Sequence, residues 1–136
     1  QPKSIQLCHI DAVPDNFLFV TGKDGSEEIK LTDWEYAGMQ DPHLDVAMFI
    51  IYAMYDRDSA EKLIDLYFSD GCDKATRLKI YCYIAVSGLV WSNWCEFKRH
   101  CGVEFGAYAQ RQYDYAREYT KIFFKEYREA FGRDYV

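Results

Sequence analysis

The chain has 136 residues, of which 49% are hydrophobic, and a formal net charge of −6. That length suffices for one domain with a core of its own, and residues 1–136 read as a single unit. The acidic balance argues against nucleic acid or an anionic membrane surface as a partner, and no apolar run reaches the roughly 18 residues that span a bilayer, so a soluble chain is expected.

The first residue is Gln1 rather than Met, and the first strong motif arrives within ten residues. This predicts a piece of a longer protein. From Ser4, SIQLC is an extended lead into that motif. FLFV (17–20) is a short β-rich run, TGKDGSEE supplies a Gly-Asp turn, and EIKLT (28–32) returns with alternation. The pattern predicts a β-hairpin whose arms follow one carboxylate motif and precede another.

Beyond Asp41 the pattern turns helical. Asp41-Pro42 reads as an N-cap with Pro at the first position, and LDVAMFIIYAMY is apolar nearly all round, so this helix should be central and buried. Ser59 can cap AEKLIDLYFSD, which Gly71 would end. Asp73 can cap a long helix through LKIYCYIAVSGLVWSNWCEFKRH to Gly102. A last helix is expected from about Glu104 to Phe131, with Phe105, Tyr108, Tyr119, Ile122 and Phe123 at near-helical spacing. The expected fold is mainly α with a small β-hairpin.

The five cysteines are Cys8, Cys72, Cys82, Cys95 and Cys101, an odd number with no CxxC pair. Reduced thiols in the cytoplasm are expected, with Cys82 and Cys95 buried as small hydrophobes inside helices. The paired spacings of a zinc site are missing around His100 and Cys101.

One constellation carries chemistry. His9-x-Asp11, four residues, then Asn16 has the spacing of a kinase catalytic loop. A phosphoryl acceptor hydroxyl needs a carboxylate that orients it and takes its proton. One turn further on, an amide oxygen can hold a metal on the nucleotide phosphates. Asp33, at the far end of the hairpin, would return to the same place as a second ligand.

HIDAVPDNFLF followed by LTDWEYAGMQDPHLDVA resembles the signature shared by aminoglycoside kinases and choline/ethanolamine kinases. The form D-W-E-Y-A-G, then D-P-x-x-D-V-A, is closer to bacterial-type choline kinases. Trp-Glu after Asp33 replaces the Phe-Gly of protein kinases, which argues against a protein substrate. VWSNW (90–94) and VEFGAYAQ (103–110) are similar to the segments that build the choline pocket in that family.

The resemblance implies the C-terminal, helical lobe of a protein-kinase-like phosphotransferase fold, acting as an ATP-dependent choline kinase that requires Mg²⁺. Asp11 would be the catalytic base, and Asn16 and Asp33 the metal ligands, with Glu35 a candidate for a second ion. Trp91, Trp94, Tyr108 and Phe105 would enclose the choline trimethylammonium, with Tyr52 a weaker candidate. Such a cation cannot donate hydrogen bonds and is held by aromatic faces and nearby carboxylate charge. Leu18 and Thr32 would floor the adenine pocket, although a short strand buries such residues anyway. His9 would brace the loop, while Asp41 and Asp45 cap the helix and anchor the loop. The glycine-rich loop and strand lysine that clamp ATP in this family do not precede His9, so the N-terminal lobe is expected to be missing and the chain alone inactive. A kinase for ethanolamine or an aminoglycoside, or a non-catalytic choline-binding module, are the alternatives.

Overall fold

The computed structural model describes residues 5–132; Gln1 and Ser4, where the sequence reading began, lie outside them. Four short strands precede four helices: β1 (Gln6–Cys8), β2 (Phe17–Thr21), β3 (Glu27–Leu31), β4 (Gly38–Gln40), α1 (His43–Tyr52), α2 (Arg57–Tyr67), α3 (Lys74–His100) and α4 (Ala107–Phe131). The described part is therefore mainly helical with a small β element. None of its helices is long and apolar enough to cross a membrane.

β2 and β3 form the expected hairpin, antiparallel with Phe17 opposite Leu31 and Thr21 opposite Glu27. Its turn closes where the Asp24 carboxylate accepts the Ser26 N–H at 3.1 Å and the Ser26 hydroxyl at 2.7 Å. Gly25 there has φ +83°, which a residue with a Cβ rarely adopts. The extended lead of the sequence reading becomes β1, and its partner is β4, with Gln6 opposite Gln40 and Cys8 opposite Gly38. No alternation marks GMQ as a strand, since three residues are too few to show a period of two.

The core lies among α1, α3 and α4, and α2 adds Ala60 and Ile64 to it. α1 buries Val46, Ala47, Met48, Ile50 and Ile51, so a helix apolar on most sides is wrapped on most sides. α3 contributes Leu78, Ile80, Tyr81 and Ile84, and α4 contributes Tyr115 and Tyr119. Gly88 sets the approach of the two long helices. A Cβ there would lie 2.7 Å from the Gln112 carbonyl oxygen and 2.9 Å from the Tyr115 Cβ. α2 is tied on by charge: Arg57 donates to the Tyr81 hydroxyl and to Glu126, both at 3.0 Å, and Arg77 pairs with Glu61 and Asp65.

Several boundaries differ from expectation. α1 stops at Tyr52 instead of running to Tyr55, because Met54 turns to φ +51°. The carbonyls left at that end are taken by α4: Gln112 Nε2 donates to Ile51 O at 2.9 Å, and the Tyr115 hydroxyl donates to Tyr55 O at 2.6 Å. Asp56, not Ser59, caps α2; its carboxylate accepts the Ser59 N–H at 2.9 Å. α2 also ends at Tyr67, short of Gly71. Asp73 caps α3 as expected, accepting the Thr76 N–H at 3.0 Å. α4 starts at Ala107 rather than Glu104, since Gly106 at φ +52° breaks the chain direction and leaves Phe105 outside the helix. Cys95 is buried, but Cys82 is exposed on the outer side of α3.

Candidate active site

The loop between β1 and β2 carries His9, Asp11 and Asn16. Its conformation is not an easy one. Ile10, a β-branched residue, sits at φ +70°, a strained region for such a side chain. The compensation comes from α1: the Asp45 carboxylate accepts the His9 N–H at 2.8 Å and the Ile10 N–H at 2.9 Å. Asp45 thus anchors the loop rather than capping its own helix. Asp41 is the residue that serves the helix start, accepting the His43 N–H at 3.0 Å. It is 5% exposed and also takes hydrogen bonds from Lys79 at 2.5 Å and the Tyr83 hydroxyl at 3.1 Å. Burial alone would raise its pKa, but the Lys79, His43 and Tyr83 donors with the Lys79 charge bring it below the usual carboxylate range.

His9 is buried, with Nε2 2.7 Å from Thr32 O and its ring edge-on to Trp34 at 4.8 Å. A carbonyl only accepts, so Nε2 carries the proton and the imidazole is spent on bracing the loop. Two further bonds bring the end of β3 to the loop. Thr32 donates its N–H to Asn16 O at 3.0 Å and its hydroxyl to the same oxygen at 3.2 Å. Asp33 follows at φ +64°, exposed and without an ion pair among the described residues. The hairpin therefore brings Thr32, the residue before Asp33, onto Asn16.

Asn16 donates Nδ2–H to Asp11 O at 3.0 Å, which leaves its Oδ1 as the free end of the amide. A carboxylate and an amide oxygen are hard donors that suit Mg²⁺, which ordinarily completes its shell with water and phosphate. The donor set at this place fits the ion. Among the described residues, no group of three or more His, Cys, Asp or Glu gathers to hold a metal. Glu35 is exposed in the turn after Asp33 and touches neither Asn16 nor Asp33 through any hydrogen bond.

A cavity of about 860 Å³ opens beside Asp11. Its aromatic wall is a chain of rings running from Tyr52 to Trp91 (5.8 Å), Trp91 to Trp94 (5.2 Å), Trp94 to Phe105 (5.3 Å) and Phe105 to Tyr108 (6.5 Å). Trp91 and Trp94 share one face of α3 because they stand three residues apart. The turn at Gly106 folds Phe105 and Tyr108 back against them. Tyr52 enters from the end of α1. Its hydroxyl is pushed far above the phenol range by burial first, then by a side-chain hydrogen bond to Asp11 and the Asp11 charge. Tyr108 is raised too, by burial first and then by Cys95 and Asp11. Both phenols stay neutral at ordinary pH.

The structure thus places Asp11, Trp91, Trp94, Phe105, Tyr108 and Tyr52 around one space. Asn16, Thr32, Asp33, Glu35 and Leu18 lie outside it. Leu18 is 46% exposed, so the strand does not bury it. Residues that the sequence reading did not assign also line the cavity: Ile10, Val13, Pro14, Asp15 and Tyr36. Tyr36 and Asp15 could have been found, since each falls inside a motif already quoted.

A short ribbon carrying a His-x-Asp-x₄-Asn loop, set on a helical bundle, is the helical lobe of a kinase-like phosphotransferase fold. Comparison with known proteins agrees. A family model described as phosphotransferase enzyme family (APH) matches residues 1–81, more than half of the chain. The chain belongs to that phosphotransferase enzyme family. It is 30% identical over 124 residues to Protein LicA of Haemophilus influenzae, a match covering 82% of this chain and 42% of that protein. A choline/ethanolamine kinase family protein from Mesorhizobium loti superposes with a TM-score of 0.71 at 27% identity, over 89% of this chain and 41% of that one. Choline kinase LicA from Streptococcus pneumoniae superposes at 0.63 with 29% identity, over 88% of this chain and 41% of that one. The chain therefore spans well under half the length of these relatives.

Proposed function

We propose that this chain forms the acceptor-binding lobe of a choline kinase, which transfers the γ-phosphoryl group of ATP to the choline hydroxyl to give phosphocholine. The observation that carries the reading is the chain of five aromatic rings around a cavity that Asp11 also lines. Each aromatic face contributes about 0.5–2 kcal/mol to holding a cation, more as water is excluded. The Asp11 carboxylate orients the acceptor hydroxyl and takes its proton as the oxygen attacks the γ-phosphorus and ADP leaves. Asn16 and Asp33 would hold Mg²⁺, which when bound offsets the charge on the phosphates. Leu18 on β2 and Thr32 directly after β3 lie beside that pair, where a nucleotide base would rest. The relatives' greater length supports a further lobe, outside these 136 residues, that covers ATP. ATP as donor puts the reaction in the cytoplasm.

Choline is favoured over ethanolamine and aminoglycosides because the aromatic wall far outweighs the acceptors that an N–H-bearing amine needs. Ethanolamine's ammonium keeps its hydration more tightly, and aromatic faces repay that loss poorly. Trp91→Leu and Trp94→Leu should each weaken choline by about 1–2 kcal/mol and ethanolamine by less, read as Michaelis constants of the whole protein with melting curves alongside. Equal losses for both amines with folding intact would make the tryptophans ordinary core residues.

A further inference from the structure

Two carboxylates line the cavity, and only one of them has a task. Asp11 is engaged: its main-chain oxygen accepts from Asn16, and its charge helps to raise the Tyr52 hydroxyl. Asp15, four residues on, makes no hydrogen bond or ion pair among the described residues, although it lines the same space. It does not act as a cap, since the short helical turn Pro14–Asn16 has Val13 at its start and no side-chain cap. The turn itself is well fixed. Val13 N–H donates to Asp11 O at 2.8 Å, Asn16 N–H donates to Val13 O at 3.0 Å, and Pro14 restricts the backbone between them. An exposed carboxylate, without a partner among the described residues, thus stands on a fixed turn at the edge of a cavity lined otherwise by Asp11, by Ile10, Val13 and Pro14, and by aromatic rings.

A 2-hydroxyethyl trimethylammonium ion presents two unlike ends. Its hydroxyl must meet Asp11, which leaves the cationic end displaced along the cavity by two carbons. That end has no N–H to donate and responds to charge and to ring faces alone. Among the described residues no cationic side chain lines the cavity; the nearest recorded against its wall is Lys98, with Nζ 5.6 Å from the Trp94 ring centroid.

We propose that Asp15 is the counter-ion of the acceptor's quaternary ammonium, a specificity-determining carboxylate that selects for positive charge while Asp11 handles the hydroxyl proton. The inference rests on the choline reading above and deepens it. Its bland rival is a solvated loop acid with no part in binding.

The uncharged isostere 3,3-dimethylbutan-1-ol separates them, because it keeps the shape of choline and replaces the nitrogen by carbon. Calorimetric titrations of the 136-residue chain with choline and with this alcohol are compared for the wild type, Asp15→Asn and Asp15→Glu. An attraction of this kind across several ångströms of partly wet space corresponds to about a fivefold to twentyfold effect. Asp15→Asn should lower choline affinity by that factor, leave the alcohol unchanged, and flatten the salt dependence of choline binding. Asp15→Glu should restore most of the loss. Equal losses for choline and the alcohol, or unchanged choline affinity in Asp15→Asn, would overturn the proposal. A wild-type chain that binds both equally would overturn the choline reading itself, and this inference with it.

Discussion

The two ends of this molecule are built on different principles. Residues 43–132 hold a continuous apolar core in which Ile50, Ile51, Ile64, Ile80, Ile84 and Tyr115 are fully buried. Residues 5–42 bury little: among them only Cys8, His9, Ala12 and Asp41 are closed off from solvent, and Phe19 is 81% exposed on the hairpin. The proposed chemistry and the proposed counter-ion sit on the sparse part, and the aromatic wall sits on the dense part. The lesson is that a strained, lightly packed loop can be precise when one charged group from a rigid element fixes it. Here that group is Asp45.

The largest effect should come from Asp11→Asn in the whole protein. Loss of the base is expected to cut choline phosphorylation by on the order of 10²–10⁴-fold while choline binding, measured by calorimetry, stays close to wild type. Near-full turnover at saturating substrates would remove Asp11 from the mechanism and leave the sparse region without a function.

Asp45→Asn sharpens the contrast from the other side. An amide can accept one of the two N–H bonds and presents a donor to the other, so roughly 2–3 kcal/mol of loop ordering is lost. The helical circular dichroism should be unchanged and the amide protons of His9 and Ile10 should lose protection against exchange. A variant that keeps both amides protected would show the loop to be held by something else.

Gly88→Ala tests the dense region alone. Its Cβ would meet main chain of α4, so a loss of about 1–3 kcal/mol in stability is expected from denaturant melts. Neutral behaviour would mean that α3 and α4 can part more easily than their packing implies.

The smallest effect expected is at low pH, at the seam between the two regions. Asp41 has a lowered folded-state pKa, so its share of stability is present above the ordinary carboxylate value of about 4 and is lost as pH falls through the depressed one. Asp41→Asn should flatten the acid limb of the stability curve in that window. An unchanged limb would place the acid sensitivity elsewhere.

Much of this was legible in the sequence, unevenly and for physical reasons. The spacing of Asp11, Asn16 and Asp33 matches what the proposed phosphoryl chemistry would need, so those residues stand out in a bare string, and the hairpin between them shows as two β-rich runs around a Gly-Asp turn. Trp91 and Trp94 were readable because helical geometry puts residues three apart on one face. The position of Phe105 was not, because it depends on the left-handed turn at Gly106, which pattern alone does not specify. β4 was invisible because it exists only through its pairing with β1. Asp45 could be assigned to loop anchoring, but its hold on two successive amides is a property of how α1 is aimed. Ser59 was mistaken for a cap because the helix starts two residues before it, at Arg57, where the Asp56 carboxylate accepts the Ser59 N–H.

The bonds from Gln112 and Tyr115 to the end of α1 bear on how the chain is made. Synthesis is vectorial, at about 5–20 residues per second. The loop of Asp11 and α1 therefore emerge before α4, with the carbonyls of Ile50, Ile51 and Tyr55 still lacking the donors that α4 brings from more than fifty residues downstream. Tyr52 lies in that unfinished turn, so the aromatic wall cannot close on a nascent chain. A ribosome-bound product halted near residue 100 should expose α1 to protease, whereas the released chain should protect it.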